Sequence, residues 1–261
     1  MKNKLLSLQK ISLKYHTKTG ETEALKSVNF EVEEGDFVSI VGPSGCGKTT
    51  ILSIISGILK PSSGEVVVLG ENLVGRNKIT GYMFQKDQLF EWRTIWQNVT
   101  LGLEITNTKT KENLDYVEYL LKKYGLIDFK NSKPRELSGG MRQRVALIRT
   151  LALRPKILLL DEPFSALDYQ TRLNVCDDVY KIIKEEKQTA ILVSHDIGEA
   201  ISMSDKIIIL TSRPASVKKE ININLPESTP FLKRENKQFL VLFNEIWKEL
   251  QTDEKGEKNK A

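Results

Sequence analysis

Apolar and polar residues alternate along the first thirty-odd positions: Leu6, Leu8, Ile11, Leu13 and Tyr15, then Val28, Phe30 and Val32. A period of two predicts half-buried strands, here broken by the polar turn Lys18-Thr19-Gly20-Glu21. The apolar run 37–41 leads into a glycine-rich loop, residues 49–59 read as a helix, and 66–69 read as a further strand between Gly64 and Gly70. From about Trp96 to Arg149 the character is helical, with Leu114, Val117, Leu120 and Leu121 at helical spacing. Residues 157–160, 190–193 and 207–210 return as short apolar strands, separated by helical segments at 170–186 and 197–202. Strands that are apolar throughout are buried on both faces, so the expected fold is α/β around a buried sheet. An antiparallel β subdomain precedes that sheet, and the helical middle is inserted into it.

After Pro226 the pattern changes. Phe239, Leu242, Phe243, Ile246, Trp247 and Leu250 form one apolar stripe of a helix, and residues 252–261 are expected to fray. No internal repeat is present. The chain has 261 residues, 40% hydrophobic and 28% charged, ordinary for a soluble globular protein with a substantial core. No run approaches the ~20 apolar residues of a membrane-spanning helix. The start, Met1-Lys2-Asn3-Lys4-Leu5-Leu6, never develops the apolar region of a signal peptide. Cys46 and Cys176 lack metal spacing and point to a reducing compartment. The net charge of +5 comes from interspersed residues, with only Lys255, Lys258 and Lys260 locally basic, which argues against nucleic acid as a direct partner.

Candidate chemistry begins at Gly42-Pro43-Ser44-Gly45-Cys46-Gly47-Lys48-Thr49, a complete phosphate-binding loop between a strand and a helix. Its glycines let successive backbone N–H groups face one polyanion, and the helix start adds its positive dipole end. Lys48 can reach the β- and γ-phosphates, and the Thr49 hydroxyl suits Mg²⁺. Thr50 follows in the same nucleotide-binding turn. Cys46 reads as a small filler, because the loop uses backbone groups there.

Asp161 and Glu162 end the strand 157–160, at the sheet edge where ligands of open α/β sheets sit. Neighbouring strand residues point to opposite sides, so one acid is expected to serve Mg²⁺ and the other to face the attacking water. His195, in Ser194-His195-Asp196, ends the next strand at the same edge, within plausible reach of a γ-phosphate. His16 has no such context.

Leu137-Ser138-Gly139-Gly140-Met141-Arg142-Gln143-Arg144 places a serine and two glycines before a second helix start, a second site suited to an anion. In this order, between a phosphate loop and an Asp-Glu strand, the stretch resembles the signature motif of the ABC ATPases. The resemblance extends over roughly residues 5–225: Tyr15 stands where that family stacks an aromatic on adenine, Gln85 at its Q-loop, Ser165-Ala166-Leu167-Asp168 at its D-loop and His195 at its switch histidine.

The resemblance implies a P-loop NTPase fold with a RecA-like core sheet. Residues 1–225 would form the ATPase domain, with the helical subdomain at about 96–150, and 226–261 a C-terminal helical extension and tail. It also implies two ATP molecules held between two head-to-tail copies. Ser138, Gly139 and Gly140 would contact the γ-phosphate held by the other copy's phosphate loop. Glu162 would polarise water, with Lys48 and His195 assisting; Thr49, Asp161 and Gln85 would attend Mg²⁺; Asp168 would link the two sites.

A DNA-repair or chromosome-maintenance ATPase usually carries long coiled coils or zinc modules, and a translation-associated one carries two motif sets; neither pattern is present. A transport subunit remains, working with separate permease subunits at the cytoplasmic face of the cell membrane and, indirectly, with an extracytoplasmic solute-binding protein. Leu89-Phe90-Glu91-Trp92-Arg93-Thr94, Thr171-Arg172 and the Arg213-Pro214 turn before Ile221-Asn222-Ile223 are similar to the nitrate, sulfonate, taurine and pyrimidine importer ATPases. Glu91 replaces that group's usual proline. Leu89, Phe90 and Trp92 are either a local apolar cluster or a docking surface for the permease.

Overall fold

A computed structural model describes residues 3–17, 20–73 and 79–258; Lys18 and Thr19 of the expected turn, and Lys260 of the basic tail, lie outside them. The alternating N-terminal pattern forms β1 (Lys4–Thr17) and β2 (Gly20–Glu33), paired antiparallel with Leu8 opposite Phe30 and Leu13 opposite Leu25. The apolar run is β3 (Phe37–Val41), and the helix after the glycine-rich loop is α1 (Lys48–Ile55). That helix ends four residues before the expected 59, closed by the Gly57 turn, where the Gly57 N–H donates to the Ile54 carbonyl at 3.0 Å. β4 (Ser63–Val68) lies against the other edge of β1 and pairs with the short β5 (Glu71–Asn72).

Gly64 in β4 has φ +84°, and a Cβ there would meet the Lys10 carbonyl oxygen at 2.4 Å and that of Gln9 at 2.5 Å. Both obstacles are backbone and cannot rotate away. Gly64→Ala is therefore expected to cost about 2 kcal/mol or more, read as a lowered urea unfolding midpoint with an unchanged slope.

The core sheet adds β6 (Thr80–Met83), which the apolar pattern did not announce, and β7 (Ile157–Asp161). Between them run α2 (Ile95–Val99), α3 (Leu101–Ile105), α4 (Lys111–Lys123) and α5 (Gly139–Leu151). After β7 come α6 (Tyr169–Glu185), β8 (Thr189–Val193), α7 (Ile197–Met203), β9 (Lys206–Leu210) and β10 (Val217–Asn222). Among the described residues the strands form two sheets, ordered β2-β1-β4-β5 and β10-β9-β3-β8-β7-β6. In the second, all neighbours pair in parallel except β10, which runs antiparallel at the edge. The expected α/β architecture is present, with its antiparallel N-terminal sheet and helical insertion.

The buried strands divide their side chains between two cores. Leu158 and Leu160 of β7 join the core built with α2 to α6, whereas Ile157 and Leu159 join the one beneath α1 and the N-terminal sheet. This parity fixes which way Asp161, the last residue of β7, points.

The C-terminal segment forms α8 (Pro230–Glu235) and α9 (Lys237–Lys258). The helix continues to Lys258, past residue 252 where fraying was expected. Ile246 is fully buried against α7, β9 and β10, with Phe239, Leu242, Phe243 and Leu250 packed around it. Trp247 departs from the expected stripe: it is about half exposed and stacks on Phe243 with ring centroids 6.4 Å apart.

Candidate functional site

The phosphate loop leaves the C-terminal end of β3, between β8 and β9, and opens α1. Gly47 takes φ +125°, and a Cβ there would lie 2.9 Å from the Leu25 side chain of β2, so the N-terminal sheet closes on the loop at a residue that must be small. The Lys48 ammonium donates to the carbonyls of Gly42 (2.8 Å) and Pro43 (3.0 Å), arching back over the loop. Cys46 is buried, and burial pushes its thiol up, which fits a filler. Pro43, Ser44 and Gly45 border a hollow of about 340 Å³ with Arg213. The Arg213 guanidinium donates to the Gly45 carbonyl at 2.7 Å, a brace on the loop that sequence reading did not assign.

The two acids diverge: Asp161 ends β7 and follows its parity, whereas Glu162 lies past the strand. Asp161 faces α1: its carboxylate accepts the Thr49 hydroxyl at 3.0 Å and the Tyr82 hydroxyl at 3.0 Å. Burial pushes the Asp161 carboxyl up, opposed by those two hydrogen bonds, and the Tyr82 phenol is raised by burial and by Asp161. Glu162 turns away with φ +46°, its N–H donating to the Val193 carbonyl of β8, and its carboxylate lies 3.0 Å from His195 Nδ1. A left-handed conformation at a non-glycine residue is uncommon and costs about 1 kcal/mol or more. Here it separates two adjacent carboxylates.

Gln85 is hydrogen-bonded to the D-loop. Its amide donates to the Ser165 hydroxyl at 3.1 Å, and that hydroxyl donates to the Glu162 carbonyl at 3.0 Å. Tyr15, 39% exposed, has its hydroxyl 3.5 Å from that of Thr50 on α1, which leaves a flat aromatic surface beside the phosphate loop. The segment after Gln85 is pinned to the signature helix α5. Arg142 makes a paired contact with Asp87 (2.8 and 3.2 Å) and reaches Glu91 at 2.9 Å, while Arg149 donates to the carbonyls of Gln88 (2.6 Å) and Asp87 (2.7 Å). Glu91 therefore adds an ionic tie where a proline could not. Leu89 belongs to the core, but Trp92 is 71% exposed and lies tilted against Phe90 at 4.8 Å between centroids.

Ser138 caps α5, its hydroxyl accepting the Met141 N–H at 3.3 Å. Gly140 packs so closely on α6 that a Cβ would lie 2.8 Å from Val175. Asp168 caps α6 by accepting the Thr171 N–H at 3.1 Å, and the Thr171 hydroxyl together with that N–H holds its carboxyl below the usual range. Ser138, Gly139, Gly140, Leu167 and Asp168 line one concavity of about 430 Å³, separate from the hollow at the phosphate loop. A larger cleft, about 900 Å³, lies between the two sheets around Lys4, Glu31, Asp36 and Lys206 and contains none of these residues.

A phosphate loop at the end of a central parallel strand, an acid hydrogen-bonded to its threonine and a second acid beside a histidine define an ATP-hydrolysing α/β protein of the P-loop class. The family model described as ABC transporter matches residues 25–165, and the chain belongs to that family. It is 46% identical over 256 residues to the ABC transporter ATP-binding protein YtlC of Bacillus subtilis, covering 97% of this chain and 98% of that one. It is 43% identical to the nitrate import ATP-binding protein NrtD of Synechocystis, covering 82% and 81% of the two chains. The aliphatic sulfonates import ATP-binding protein SsuB of Bacillus cereus is 40% identical, with coverage of 85% and 87%. Among solved structures, the ATP-binding cassette MJ0796, a dimer in a post-hydrolysis state bound to ADP and Pi, superposes with TM-score 0.71 at 33% identity, over 84% of this chain and 99% of that one. The chain is thus the ATPase subunit of a transporter, and the DNA-maintenance and translation alternatives are not favoured. Among the described residues no helix is long and apolar enough to cross a membrane.

Proposed function

We propose that this chain powers uptake of a small solute through separate permease subunits, at the cytoplasmic face of the cell membrane, as a homodimer that closes on two ATP molecules. The observation that carries the dimer is the separation within one chain of two anion-suited helix starts: Lys48 opens α1 at one hollow, and Ser138 caps α5 at another. A second copy, arranged head to tail, would bring Ser138, Gly139 and Gly140 to the γ-phosphate above Lys48. The names of the nitrate and sulfonate import relatives support a small anionic or sulfur-containing solute. By the same likeness, a solute-binding protein would deliver it to the permease. Residues 1–225 serve as the ATPase unit in this reading, and 226–261 as a C-terminal extension, anchored through Ile246 and its apolar neighbours.

In hydrolysis the backbone N–H groups of residues 44–50 cradle the phosphates, and Lys48 leaves its loop carbonyls for the β- and γ-oxygens. Tyr15 stacks on the base. Thr49 and Asp161 offer the hard oxygen donors that suit Mg²⁺, and Gln85 swings towards them from Ser165; the cation would neutralise charge on the β- and γ-phosphates. Glu162 accepts a proton from the attacking water, and His195, held against that carboxylate, orients it and meets the γ-phosphate. Asp168 sits where the partner's site would touch the D-loop.

Affinity capture of the tagged chain from native membranes tests the transport reading. Integral membrane permease subunits should co-purify, and recovery of soluble partners alone would count against it. Trp92→Ala tests the docking surface. Its exposed indole is expected to supply an aromatic anchor, so transport in reconstituted vesicles should fall by about tenfold or more, while ATPase of the isolated chain stays unchanged. Unaltered transport would return Trp92 to a surface role without a partner.

A further inference from the structure

Arg172 lies in the first turn of α6, with its guanidinium between the D-loop and the start of α7. One terminal nitrogen donates to the Leu167 carbonyl at 3.0 Å. The other stands 3.6 Å from the Asp196 carboxylate, and Nε stands 3.8 Å from that of Glu199. The last two are ion pairs longer than hydrogen bonds, and the buried Nε donates to no partner. Arg172 is firmly tied to the D-loop and loosely engaged with the acids.

Those acids hold both neighbours of His195. Glu199, only 3% exposed, accepts the Ser194 hydroxyl at 2.6 Å. The same hydroxyl accepts the Asp196 N–H at 3.0 Å, and Asp196 accepts the Glu199 N–H at 3.0 Å. His195 then stands 3.0 Å from Glu162. Polar contacts thus run from the Leu167 carbonyl through Arg172 to Asp196, Glu199 and Ser194, and the backbone between Ser194 and Asp196 carries His195, whose ring meets the Glu162 carboxylate. Burial pushes the Glu199 carboxyl up, opposed first by its hydrogen bond from the Ser194 hydroxyl and then by the nearby Arg172 guanidinium. The Arg234 side chain from α8 covers the other side, 3.1 Å from where a Cβ on Gly198 would stand.

We propose that Arg172 is a positioning residue for hydrolysis, joining the D-loop backbone to the Asp196–Glu199 pair that orients His195. Leu167 and Asp168 line the concavity assigned above to the second copy. A partner settling there shifts the Leu167 carbonyl, carries the guanidinium with it, and shortens its contacts to Asp196 and Glu199 into hydrogen bonds. The His195–Glu162 contact, present at 3.0 Å in the single chain, is then held firmly when the dimer face is filled. Arg172, Asp196 and Glu199 act through His195 and Glu162 and hold no phosphate themselves, so Arg172 acts on turnover and leaves ATP affinity alone.

The inference rests on the hydrolytic roles proposed for Glu162 and His195, and steady-state ATPase of the full-length protein separates the two. Arg172→Ala is expected to lower kcat about 10–100-fold with KM for MgATP unchanged. Combined with Glu199→Gln it should lose little more than the more impaired single variant, because both act through one network. Arg172→Lys, which keeps the charge but not the fork, should recover part of the rate. Wild-type kcat in Arg172→Ala, a KM that rises in step with the fall in kcat, or multiplicative losses in the double variant would overturn the proposal. If Arg172→Ala does not fold by circular dichroism, Arg172→Lys decides: a lowered kcat at constant KM supports the role, and a wild-type kcat rejects it. Full ATPase in Glu162→Gln would instead reject the hydrolytic reading; an inactive Glu162→Gln beside a fully active Arg172→Ala rejects only this inference.

Discussion

Glu162→Gln should bind ATP with ordinary affinity, lose about 10²–10⁴ of its turnover rate, and accumulate as an ATP-bound dimer. The substitution is nearly isosteric. Its amide can still meet His195, now 3.0 Å from the carboxylate, so the local fold is kept. Lys48, Thr49 and Asp161 lie on the other face of the strand and keep their contacts. What disappears is the carboxylate that accepts the water's proton, an interaction needed only in the transition state, so kcat falls and nucleotide binding does not. If ATP holds the two copies together and hydrolysis parts them, the block falls after closure and the closed state gains population. Size-exclusion chromatography with and without MgATP reads the shift. A variant that stays monomeric at saturating ATP would refute the two-copy arrangement, whereas a dimeric variant with full turnover would refute only the role of Glu162.

Part of that prediction could be framed from sequence because strand parity is a local rule. Once residues 157–160 are a buried strand, Asp161 falls on the Leu159 side, and the alternate cores under Leu159 and Leu160 carry that into space. Glu162 lies past the strand, and its left-handed backbone, which no pattern announces, turns its carboxylate away. The phosphate loop and the caps at Ser138 and Asp168 are equally local, each written in consecutive residues. What was not legible depends on contacts distant in sequence. β6 is short, and its Gly81 is fitted to its neighbours: a Cβ there would lie 2.5 Å from Thr150 and 2.9 Å from Pro155. Nothing nearby in the chain announces that fit. Missing β6 meant missing Tyr82, which completes the hydrogen bonding of Asp161. Arg213 on the Gly45 carbonyl and Arg142 and Arg149 on the segment after Gln85 are likewise long-range. An arginine's reach hides its target from any pattern of spacing. α8 has only six residues, too few for a helical period to emerge, although Thr229 and Pro230 are a readable start signal.

Lys48→Ala should abolish measurable nucleotide binding, weakening it by about 100-fold or more with little effect on the fold. The ammonium is buried against the carbonyls of Gly42 and Pro43, so the protein already holds a desolvated positive charge at the mouth of the loop. Nucleotide need only replace two neutral acceptors with anionic phosphate oxygens, and the exchange of a neutral for a charged acceptor is the source of the affinity. Without the amine, the backbone N–H groups of the loop still face the phosphates, but the charge of the triphosphate is left without its principal side-chain partner. The two carbonyls lose their donor as well, which sets a modest stability cost separable by thermal melting without ligand. Isothermal titration with MgATP and with MgADP reads the binding term directly. Both affinities should collapse together if Lys48 serves the β-phosphate as well as the γ-phosphate, since ADP lacks only the latter. Wild-type ATPase activity in this variant would remove the phosphate loop from the site altogether.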